Sequence, residues 1–225
     1  MNGNLALESV ILNINKPRDW TSFDVVKKIR NLTRIKKVGH AGTLDPFATG
    51  VLLVALGRGT RKISSLMDLE KEYIGTIELG IATDTCDVTG KIIQQKSTVE
   101  VTPTAVREVL AEFTGEIEQI PPAFSALKVN GVRAYKLARQ GVEVRLKARR
   151  VRIHSLELIE CDIPLITIKV CCSKGTYIRA LARDIGIRLK TGASLKELVR
   201  SRIGNFRIDD ALTIEDFERM VVTGN

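Results

Sequence analysis

Residues 39–56 read GHAGTLDPFATGVLLVAL, and this stretch decides how the middle of the fold is built. Its last six residues, VLLVAL, are the most apolar hexapeptide in the sequence and predict a buried strand. The residues before them hold three glycines, His40 and Asp45. An acid at this place is either a turn residue that bonds its own backbone ahead of Pro46, or a reactive group held at the edge of a sheet.

Two glycine-rich segments could be phosphate-binding loops, but neither ends with the residues that a P-loop requires. A P-loop closes with Gly-Lys-Ser/Thr, and neither residues 39–50 nor GRGTRK at 57–62 does so. There is also no G-x-S-x-G elbow that would support Ser-His-Asp chemistry. Asp45 therefore stays as the candidate reactive group of this region.

The composition predicts a folded globular chain. With 225 residues and 44% hydrophobic residues, we expect a single domain spanning 1–225. The N-terminal residues show no basic leader, so we expect no signal peptide, and no apolar run approaches the ~20 residues of a membrane helix. The four cysteines lack C-x-x-C spacing, which indicates buried thiols of a reducing compartment, and no metal-ligand cluster is visible.

The positive charge is concentrated in one part of the chain. The formal net charge is +9, and between residues 128 and 152 nine basic residues face one acid, Glu143. These nine are Lys128, Arg133, Lys136, Arg139, Arg145, Lys147, Arg149, Arg150 and Arg152. Residues 121–150 are also poor in aliphatic side chains, which indicates a long excursion from the core. The excursion is either a footprint for a phosphate backbone or a basic, solvated hairpin.

Helical and strand patterns alternate irregularly along the chain. We predict helices in residues 21–37, 102–115, 176–192 and 213–221, with capping boxes at Thr21 and Thr213, a cap at Thr102, and Gly115 closing the second helix. Residues 72–80 and 164–175 alternate as strands do. This order favours an α/β or α+β fold with a mixed, largely antiparallel sheet flanked by helices.

Four further residues are candidates on position and chemistry. Arg179 opens a helix directly after a strand, where it can pair with a carboxylate, although a surface arginine is equally compatible with its position. Tyr73 and Tyr177 stand beside charged residues and can stack on bases, or they are half-buried core residues. His40 is a turn residue or a contact to a nucleic acid.

Six segments, in order, resemble the motifs of the TruB-type tRNA pseudouridine synthases. They span about residues 10–210, and they read LNINKPRDWTSFDVV, GHAGTLDPFATGVLLVALGRGTRKI, KEYIGTIELGIATDTCDVTG, IPPAFSALKVNGVRAYKLARQG, CSKGTYIRALARDIG and LVRSRIGNF. The resemblance implies the pseudouridine synthase fold with a basic, thumb-like insertion at about 121–150. The sequence departs from the family pattern in two ways. Phe124 stands where tyrosine is common, and we expect no room in the chain for the full C-terminal RNA-binding domain of many members.

The resemblance also implies a role for each matching residue. Asp45 matches the essential aspartate, Arg179 the arginine that pairs with it, and Tyr73 the tyrosine that stacks on the target uracil and helps proton transfer. Tyr177 and Leu198 match residues of the base pocket, and His40 matches the histidine that enters the RNA loop. Lys16, with Pro17, matches a motif that supports the active-site loop, and we also expect Lys16 among the substrate-binding residues. Residues of the basic segment are expected to bind substrate phosphates, and they include Lys128, Arg145, Lys147, Arg149 and Arg150.

The implied reaction converts uridine to pseudouridine at position 55 in the T loop of tRNA, without an external cofactor or metal. We expect a cytoplasmic, monomeric enzyme whose partner is the T-arm of tRNA, with no membrane and no protein partner. Two alternatives stay open: a tRNA-folding chaperone with incidental catalysis, or the same isomerisation on another RNA. Whether Asp45 attacks C6, attacks C1′ or abstracts a sugar proton is also open.

Overall fold

The computed structural model describes residues 9–129 and 131–223. The prediction of no signal peptide falls partly on residues 1–8, and the excursion at 121–150 includes Asn130. Both of these parts lie outside the described residues.

The described elements alternate between strands and short helices. The helices are α1 (Ser22–Thr33), α2 (Ile63–Asp68), α3 (Pro103–Glu112), α4 (Ala134–Arg139), α5 (Ile178–Arg188) and α6 (Ile214–Thr223), with 3-10 helices at Gly57–Lys62 and Ile208–Asp210. The strands are β1 (Ile11–Lys16), β2 (Val38–His40), β3 (Thr49–Leu56), β4 (Lys71–Leu79), β5 (Ile81–Thr83), β6 (Ile92–Gln95), β7 (Gly115–Gln119), β8 (Lys128–Val129), β9 (Val132–Arg133), β10 (Arg149–Asp162), β11 (Leu165–Cys172), β12 (Ala193–Ile203) and β13 (Phe206–Arg207).

The chain divides into two compact units. Residues 1–73 and 198–225 form one, here called the terminal unit, and residues 74–197 form the other, here called the central unit. The strands β4 and β12 each begin in one unit and end in the other. The prediction of one catalytic domain over 1–225 concerns function as well as compactness, and it stays a prediction.

The terminal unit is organised around β3. This strand pairs antiparallel with β1, from Ile11 opposite Ala55 to Lys16 opposite Gly50, and antiparallel with β2. It pairs in parallel with β12, where Arg200 lies opposite Gly50. β13 folds back antiparallel on the end of β12.

Both faces of β3 are buried, which explains its uninterrupted apolar sequence. Successive side chains of a strand point to opposite faces. Leu52, Val54 and Leu56 pack in a cluster with residues of α1 and α6. Val51 and Leu53 pack in a second cluster, together with Ile63 of α2. A strand that is covered on both faces cannot alternate with polar residues, so VLLVAL has no polar member.

The central unit contains the rest of the sheet. Its strand order is β4, β11, β10 and β7, and β10 pairs antiparallel with both β11 and β7. The helix α3 packs against β10 and α5. The excursion at 121–150 holds a small hairpin of β8 and β9 followed by α4. The prediction of a mixed, largely antiparallel α/β fold is confirmed, whereas the thumb-like role of the excursion stays a prediction.

The helix starts were predicted better than the helix ends. Thr21 and Asp24 exchange the bonds of a capping box, Thr213 and Asp216 do the same, and Thr102 caps α3. The first helix was expected to reach residue 37 but ends at Thr33, because Arg34 adopts a left-handed conformation at φ 57°. Gly115 was wrongly expected to close α3. That helix ends at Glu112 and is capped by Phe113, and Gly115 begins β7.

Among the described residues, no helix combines the length and the apolar composition that crossing a bilayer requires.

Gly50 provides a test of the pairing between β3 and β12. It has φ 103°, and a Cβ there would lie 2.3 Å from the backbone oxygen of Arg200. Gly42, in the same unit, has φ 92°, but its Cβ would meet only the Arg200 side chain at 3.7 Å. We expect Gly42→Ala to lower the free energy of unfolding by about 1–3 kcal/mol from backbone strain. Gly50→Ala should cost about 1–3 kcal/mol more, because the neighbouring strand must move.

The measurement is urea denaturation followed by the fluorescence of Trp20, the single tryptophan, which lies in the terminal unit. Equal losses in the two variants would contradict the close approach of Arg200 to Gly50.

Candidate active site

The loop between β2 and β3 carries Asp45 and is anchored on both sides of it. Leu44 and Phe47 are buried, whereas Asp45 is only half-buried. The Leu44 amide donates to Ser22 Oγ at 2.9 Å, and the Ala48 amide donates to the Asp45 carbonyl at 3.1 Å, which closes a turn. Asp45 thus lies in a backbone turn, and the buried residues on either side of it fix the position from which its side chain projects.

Lys16 holds the loop just after Asp45. Its side chain is fully buried, and Nζ donates to the carbonyls of Pro17 at 2.8 Å, Trp20 at 2.7 Å and Pro46 at 3.1 Å. The Pro46 carbonyl also accepts from the Asp19 amide at 2.8 Å. An ammonium group has three donors, and all three are used by backbone carbonyls. This geometry fits the expected support of the loop that carries Asp45. The expectation that Lys16 also binds substrate has no support here, because Lys16 has no exposed surface.

Burial lowers the pKa of Lys16 from 10.5 to about 8. The carboxylates of Asp19 and Asp45 act in the other direction and raise this pKa, while the nearby Arg200 lowers it. Desolvation is the largest cause, because a buried ammonium loses its hydration. Lys16 and Asp45 are therefore close enough to interact electrostatically within the terminal unit.

Arg200 holds the start of the same loop, and sequence reasoning missed it. Arg200 is 1% exposed, and its Nε donates to the Val51 carbonyl at 2.7 Å. Its Nη2 lies 3.3 Å from the Gly42 carbonyl, and Nη1 lies 3.5 Å from that of Thr43. The signal was present in the sequence, because Arg200 is two residues from Leu198 on one strand and therefore on the same inward face.

His40 ends β2, immediately before the loop, and is half-buried. Burial lowers its pKa, and the charge of Arg200 lowers it further, while a backbone interaction with Gly42 partly opposes both. His40 is consequently a mainly neutral imidazole at pH 7. A neutral ring can both donate and accept a hydrogen bond, and it inserts among apolar groups at a lower cost than a cation does.

Tyr73 and Leu198 also belong to the terminal unit, and both are buried. Tyr73 lies on β4, on the face that this strand buries at every second residue. Leu198 lies on β12, two residues before Arg200. The terminal unit therefore contains Asp45, His40, Lys16, Tyr73 and Leu198, whereas the other predicted site residues lie in the central unit.

Arg179 is buried at the start of α5 and is held by an acid that sequence reasoning did not single out. Its Nη1 lies 3.2 Å from Asp87 Oδ2 and donates to the Thr85 carbonyl at 3.1 Å. Its Nη2 donates to the Phe124 carbonyl at 3.0 Å. This last bond uses the backbone, so it does not depend on the hydroxyl that is missing at Phe124. The pairing of Arg179 with Asp45 stays a prediction.

Asp87 is itself fixed by its own loop. Its Oδ1 accepts from Thr85 Oγ1 at 2.8 Å, from the Thr89 amide at 2.9 Å and from Thr89 Oγ1 at 2.6 Å. A buried ion pair costs desolvation on both sides, and hydrogen bonds to the remaining lone pairs offset that cost. The threonines of TDTCDVTG thus hold the carboxylate that orients Arg179.

Tyr177 is half-buried and precedes the first residue of α5. Its amide donates to Oε1 of Gln119 at 2.8 Å, and Gln119 is buried at the end of β7. Gln119 is a third residue, after Arg200 and Asp87, that the sequence did not indicate. It fixes the backbone from which the Tyr177 ring projects.

The predicted phosphate contacts of the basic segment are exposed, but they are not equally available. These residues are Lys128, Arg145, Lys147, Arg149 and Arg150. Arg145 pairs with Glu143 at 3.0 Å, and Arg150 lies opposite Glu118 across the β10–β7 ladder. Arg149 lies opposite the neutral Gln119. Lys128 lies opposite another cation, Arg133. Opposite charges on facing residues attract each other, so Lys128, Lys147 and Arg149 are the less neutralised cations of this group.

Among the described residues, no group of three or more His, Cys, Asp and Glu side chains is placed to hold a metal ion.

Comparison with known proteins gives concordant matches over nearly the whole chain. Residues 30–178 match the family described as TruB family pseudouridylate synthase, N-terminal domain. Residues 179–225 match the tRNA pseudouridylate synthase B C-terminal domain. The tRNA pseudouridine synthase B of Phocaeicola vulgatus is 50% identical over 217 residues, which cover 93% of this chain and 92% of that protein. That of Clostridium tetani is 45% identical and covers 92% of this chain and 71% of its own length.

Solved structures show the same fold. A chain of the archaeal box H/ACA sRNP Nop10-Cbf5 complex matches with a TM-score of 0.73 and 29% identity over 96% of this chain. A chain of an H/ACA RNP bound to a substrate RNA containing 2′-deoxyuridine matches with a TM-score of 0.73 and 27% identity over 98% of this chain. The present chain spans 55% and 57% of those two proteins, little more than half of each.

The buried ammonium of Lys16 predicts a pH dependence of stability. The pKa of Lys16 is about 8 in the folded chain, against 10.5 for a lysine in the unfolded chain. Between pH 8 and 10.5, therefore, the unfolded chain binds this proton and the folded chain does not. The free energy of unfolding therefore rises with pH in this window. We expect the free energy of unfolding of wild type minus that of Lys16→Met to rise by at least about 1 kcal/mol from pH 8 to 10.5. Below pH 7 this difference should be constant.

Urea denaturation at several pH values measures this difference. Lys27→Met is the matched control, because Lys27 is exposed on α1, and it should show no such slope. A difference for Lys16→Met that does not change with pH would contradict the lowered pKa.

Proposed function

This chain belongs to the TruB family of pseudouridylate synthases, and we propose that it modifies uridine 55 in the T loop of tRNA with Asp45 as its essential acid. Membership makes it an isomerase that forms pseudouridine in tRNA. The T-loop position is supported by the six ordered sequence motifs. We further propose that it acts as a monomer in the cytoplasm, because tRNA is the one partner that the sequence and the relatives indicate.

The reaction sets the requirements for the site. The bond between N1 and C1′ breaks, the uracil turns, and C5 bonds to C1′. C5 then loses its proton and N1 carries one, so atoms and electrons balance without an oxidant or reductant. The target base must leave its stack at a cost of a few kcal/mol. Stacking on an aromatic ring returns about 1–3 kcal/mol per base, which gives Tyr73 its proposed role against the uracil.

One observation carries the assignment of Asp45. It is the acid of a loop whose backbone is fixed before it by Arg200 and after it by Lys16, with Leu44 and Phe47 buried on either side. A carboxylate held in this way does not have to be ordered when the nucleotide arrives, and such preorganisation is a large part of catalysis. Whether it attacks C6, attacks C1′ or removes a sugar proton stays open.

We assign the other residues as the resemblance implies. Arg179 would pair with Asp45, and a guanidinium has five N–H donors, so its bonds to Asp87 do not exhaust it. His40 would enter the RNA loop, which suits its mainly neutral ring. Tyr177 and Leu198 would line the base pocket. Lys16 would act on the loop and not on the RNA.

The first test is the release of tritium from a tRNA transcript labelled at C5 of its uridines. We expect wild type to release about one equivalent per tRNA and Asp45→Asn to be slower by more than about 10³-fold, because the amide neither attacks nor accepts a proton. The affinity for tRNA should stay within about 3-fold. Asp209→Asn, which alters an exposed acid of the same unit, is the control and should behave as wild type.

Two results would redirect the assignment. Loss of both turnover and tRNA binding in a folded Asp45→Asn protein would remove the catalytic role of Asp45. No release by wild type that still binds tRNA would favour the chaperone or another RNA substrate. A transcript with cytidine at position 55 should abolish the release, and unchanged release would place the target elsewhere.

The basic segment predicts a difference between two pairs of cations. We expect Lys147→Gln/Arg149→Gln to weaken tRNA binding and to reduce the slope of log affinity against log salt by about 1–2, since each lost phosphate contact removes about one unit. Arg145→Gln/Arg150→Gln removes the same charge but should have a smaller effect, because Glu143 and Glu118 already oppose these arginines. Unchanged slopes in both variants would show that this segment is not the RNA footprint.

A further inference from the structure

The excursion at 121–150 leaves the sheet through residues 119–125, here called the root segment, which begin at the last residue of β7. Hydrogen bonds from the first turns of α5 hold this segment within the central unit. The Tyr177 amide donates to Gln119 Oε1 at 2.8 Å, Arg183 Nη2 to the Ile120 carbonyl at 2.8 Å, and Arg179 Nη2 to the Phe124 carbonyl at 3.0 Å. The last two bonds use backbone acceptors, which any residue supplies. The bond from Tyr177 requires the side chain of Gln119.

The N-cap amide of α5 has an acceptor from another element, unlike those of α1 and α6. The first amides of a helix have no acceptor within the helix. In α1 the Thr21 amide donates to Asp24, and in α6 the Thr213 amide donates to Asp216, an acid three residues on in both cases.

The same local solution is closed to α5. Its N-cap is Tyr177, and the residue three positions on is Ala180, whose methyl group accepts no hydrogen bond. The acceptor comes instead from Gln119, which is 58 positions away in sequence. The position at which α5 begins therefore depends on a long-range bond to one side chain.

Stability alone does not explain a glutamine at this position. Gln119 is 1% exposed, and its Nε2, unlike Oε1, has no hydrogen-bond partner within residues 9–129 and 131–223. A buried donor without a partner costs free energy, whereas methionine, which has a similar length, would bury no such group. Natural proteins break rules of this kind mainly at functional sites.

The bond lies beside two residues that we propose for the reaction. Tyr177 is proposed to line the base pocket, and Arg179, two positions on, is proposed to pair with Asp45. Both are carried by the start of α5, so a shift of its N-cap moves both side chains. A misplacement of about 1 Å at a reacting centre can reduce the rate by about 10²-fold.

We propose that Gln119 is a positioning residue for the isomerisation. Its Oε1 fixes the start of α5, and with it the Tyr177 ring and the Arg179 guanidinium, before the uridine enters the site. The proposal rests on the proposed function in taking these two residues as parts of the site. Gln119 acts through the Tyr177 amide and touches no RNA. Because it is also the first residue of the root segment, it links the base pocket to the excursion that is proposed to hold the tRNA.

The test compares two replacements of similar size. Gln119→Met removes the acceptor, and we expect kcat for tritium release to fall by about 10- to 100-fold, while KM and the affinity for tRNA stay within about 3-fold. Gln119→Glu keeps an acceptor oxygen and removes only the unpaired donor. Arg149 lies opposite on β10 and supplies a countercharge. We therefore expect Gln119→Glu to have a kcat within about 3-fold of wild type.

Two further variants separate positioning from general destabilisation. Thr191→Val is the matched control, because it removes a buried hydroxyl that donates to the Gly192 carbonyl at 2.9 Å, outside the root segment. It should lower the melting temperature but leave kcat as in wild type. Gln119→Asn withdraws the acceptor by one methylene and should reproduce the loss of kcat in Gln119→Met, which keeps the test valid if the methionine variant does not fold.

Hydrogen exchange at the Tyr177 amide gives a readout that needs no RNA. Loss of its acceptor should accelerate exchange of this amide by about 10-fold or more in Gln119→Met, and Thr191→Val should leave it unchanged. All variants are compared at a temperature at which their melting curves show them folded. Unchanged exchange at Tyr177 in Gln119→Met would overturn the proposal.

The kinetic outcomes also separate this proposal from the proposed function. A wild type that releases tritium, with Gln119→Met and Gln119→Asn equally fast, removes the role of Gln119 and keeps the enzyme. A kcat of Gln119→Glu as low as that of Gln119→Met shows that the acceptor is not what matters, and it overturns the proposal as well. No release by wild type removes the proposed function, and the role of Gln119 in the isomerisation falls with it.

Discussion

The loop that carries Asp45 depends on two buried cations. Lys16 binds the carbonyl of Pro46 after the acid, and Arg200 binds carbonyls before it and in β3. Buried charges are tolerated only where hydrogen bonds replace the lost water. Here the replacement comes from backbone carbonyls of the loop itself, so the loop and the cations stabilise each other. The rest of the terminal unit serves to bury this arrangement on β3.

In the central unit, a buried acid positions a predicted site residue. Asp87 holds Arg179, three hydrogen bonds from Thr85 and Thr89 hold one oxygen of Asp87, and Gln119 holds the backbone of Tyr177. In each unit, therefore, a residue that we propose for the reaction is positioned by a buried polar residue that does not itself have to touch RNA. This explains why so many polar side chains of this chain are buried, although burial of a polar group is costly without partners.

The positive charge is also divided between the two units. Each unit has one strongly basic stretch, at residues 25–67 and 128–152, and in each stretch some of the cations are neutralised by acids while others are not. Net charge alone indicates an acidic partner. Only the pairing of each cation shows which of them are neutralised, and among the predicted phosphate contacts Lys128, Lys147 and Arg149 have no described acid paired with them.

The sequence by itself determined the buried strand β3, the helix starts at Thr21, Thr102 and Thr213, the mixed fold and the family, because periodicity, caps and ordered motifs are local properties of the chain. It did not determine that α1 ends at Arg34, which depends on one left-handed backbone conformation. The sequence also did not identify Arg200, Asp87 or Gln119 as residues that position the site. Their contacts to the Gly42 carbonyl, Arg179 and Tyr177 join residues that are 58 to 158 positions apart in sequence, and only the tertiary structure decides which groups a buried side chain meets.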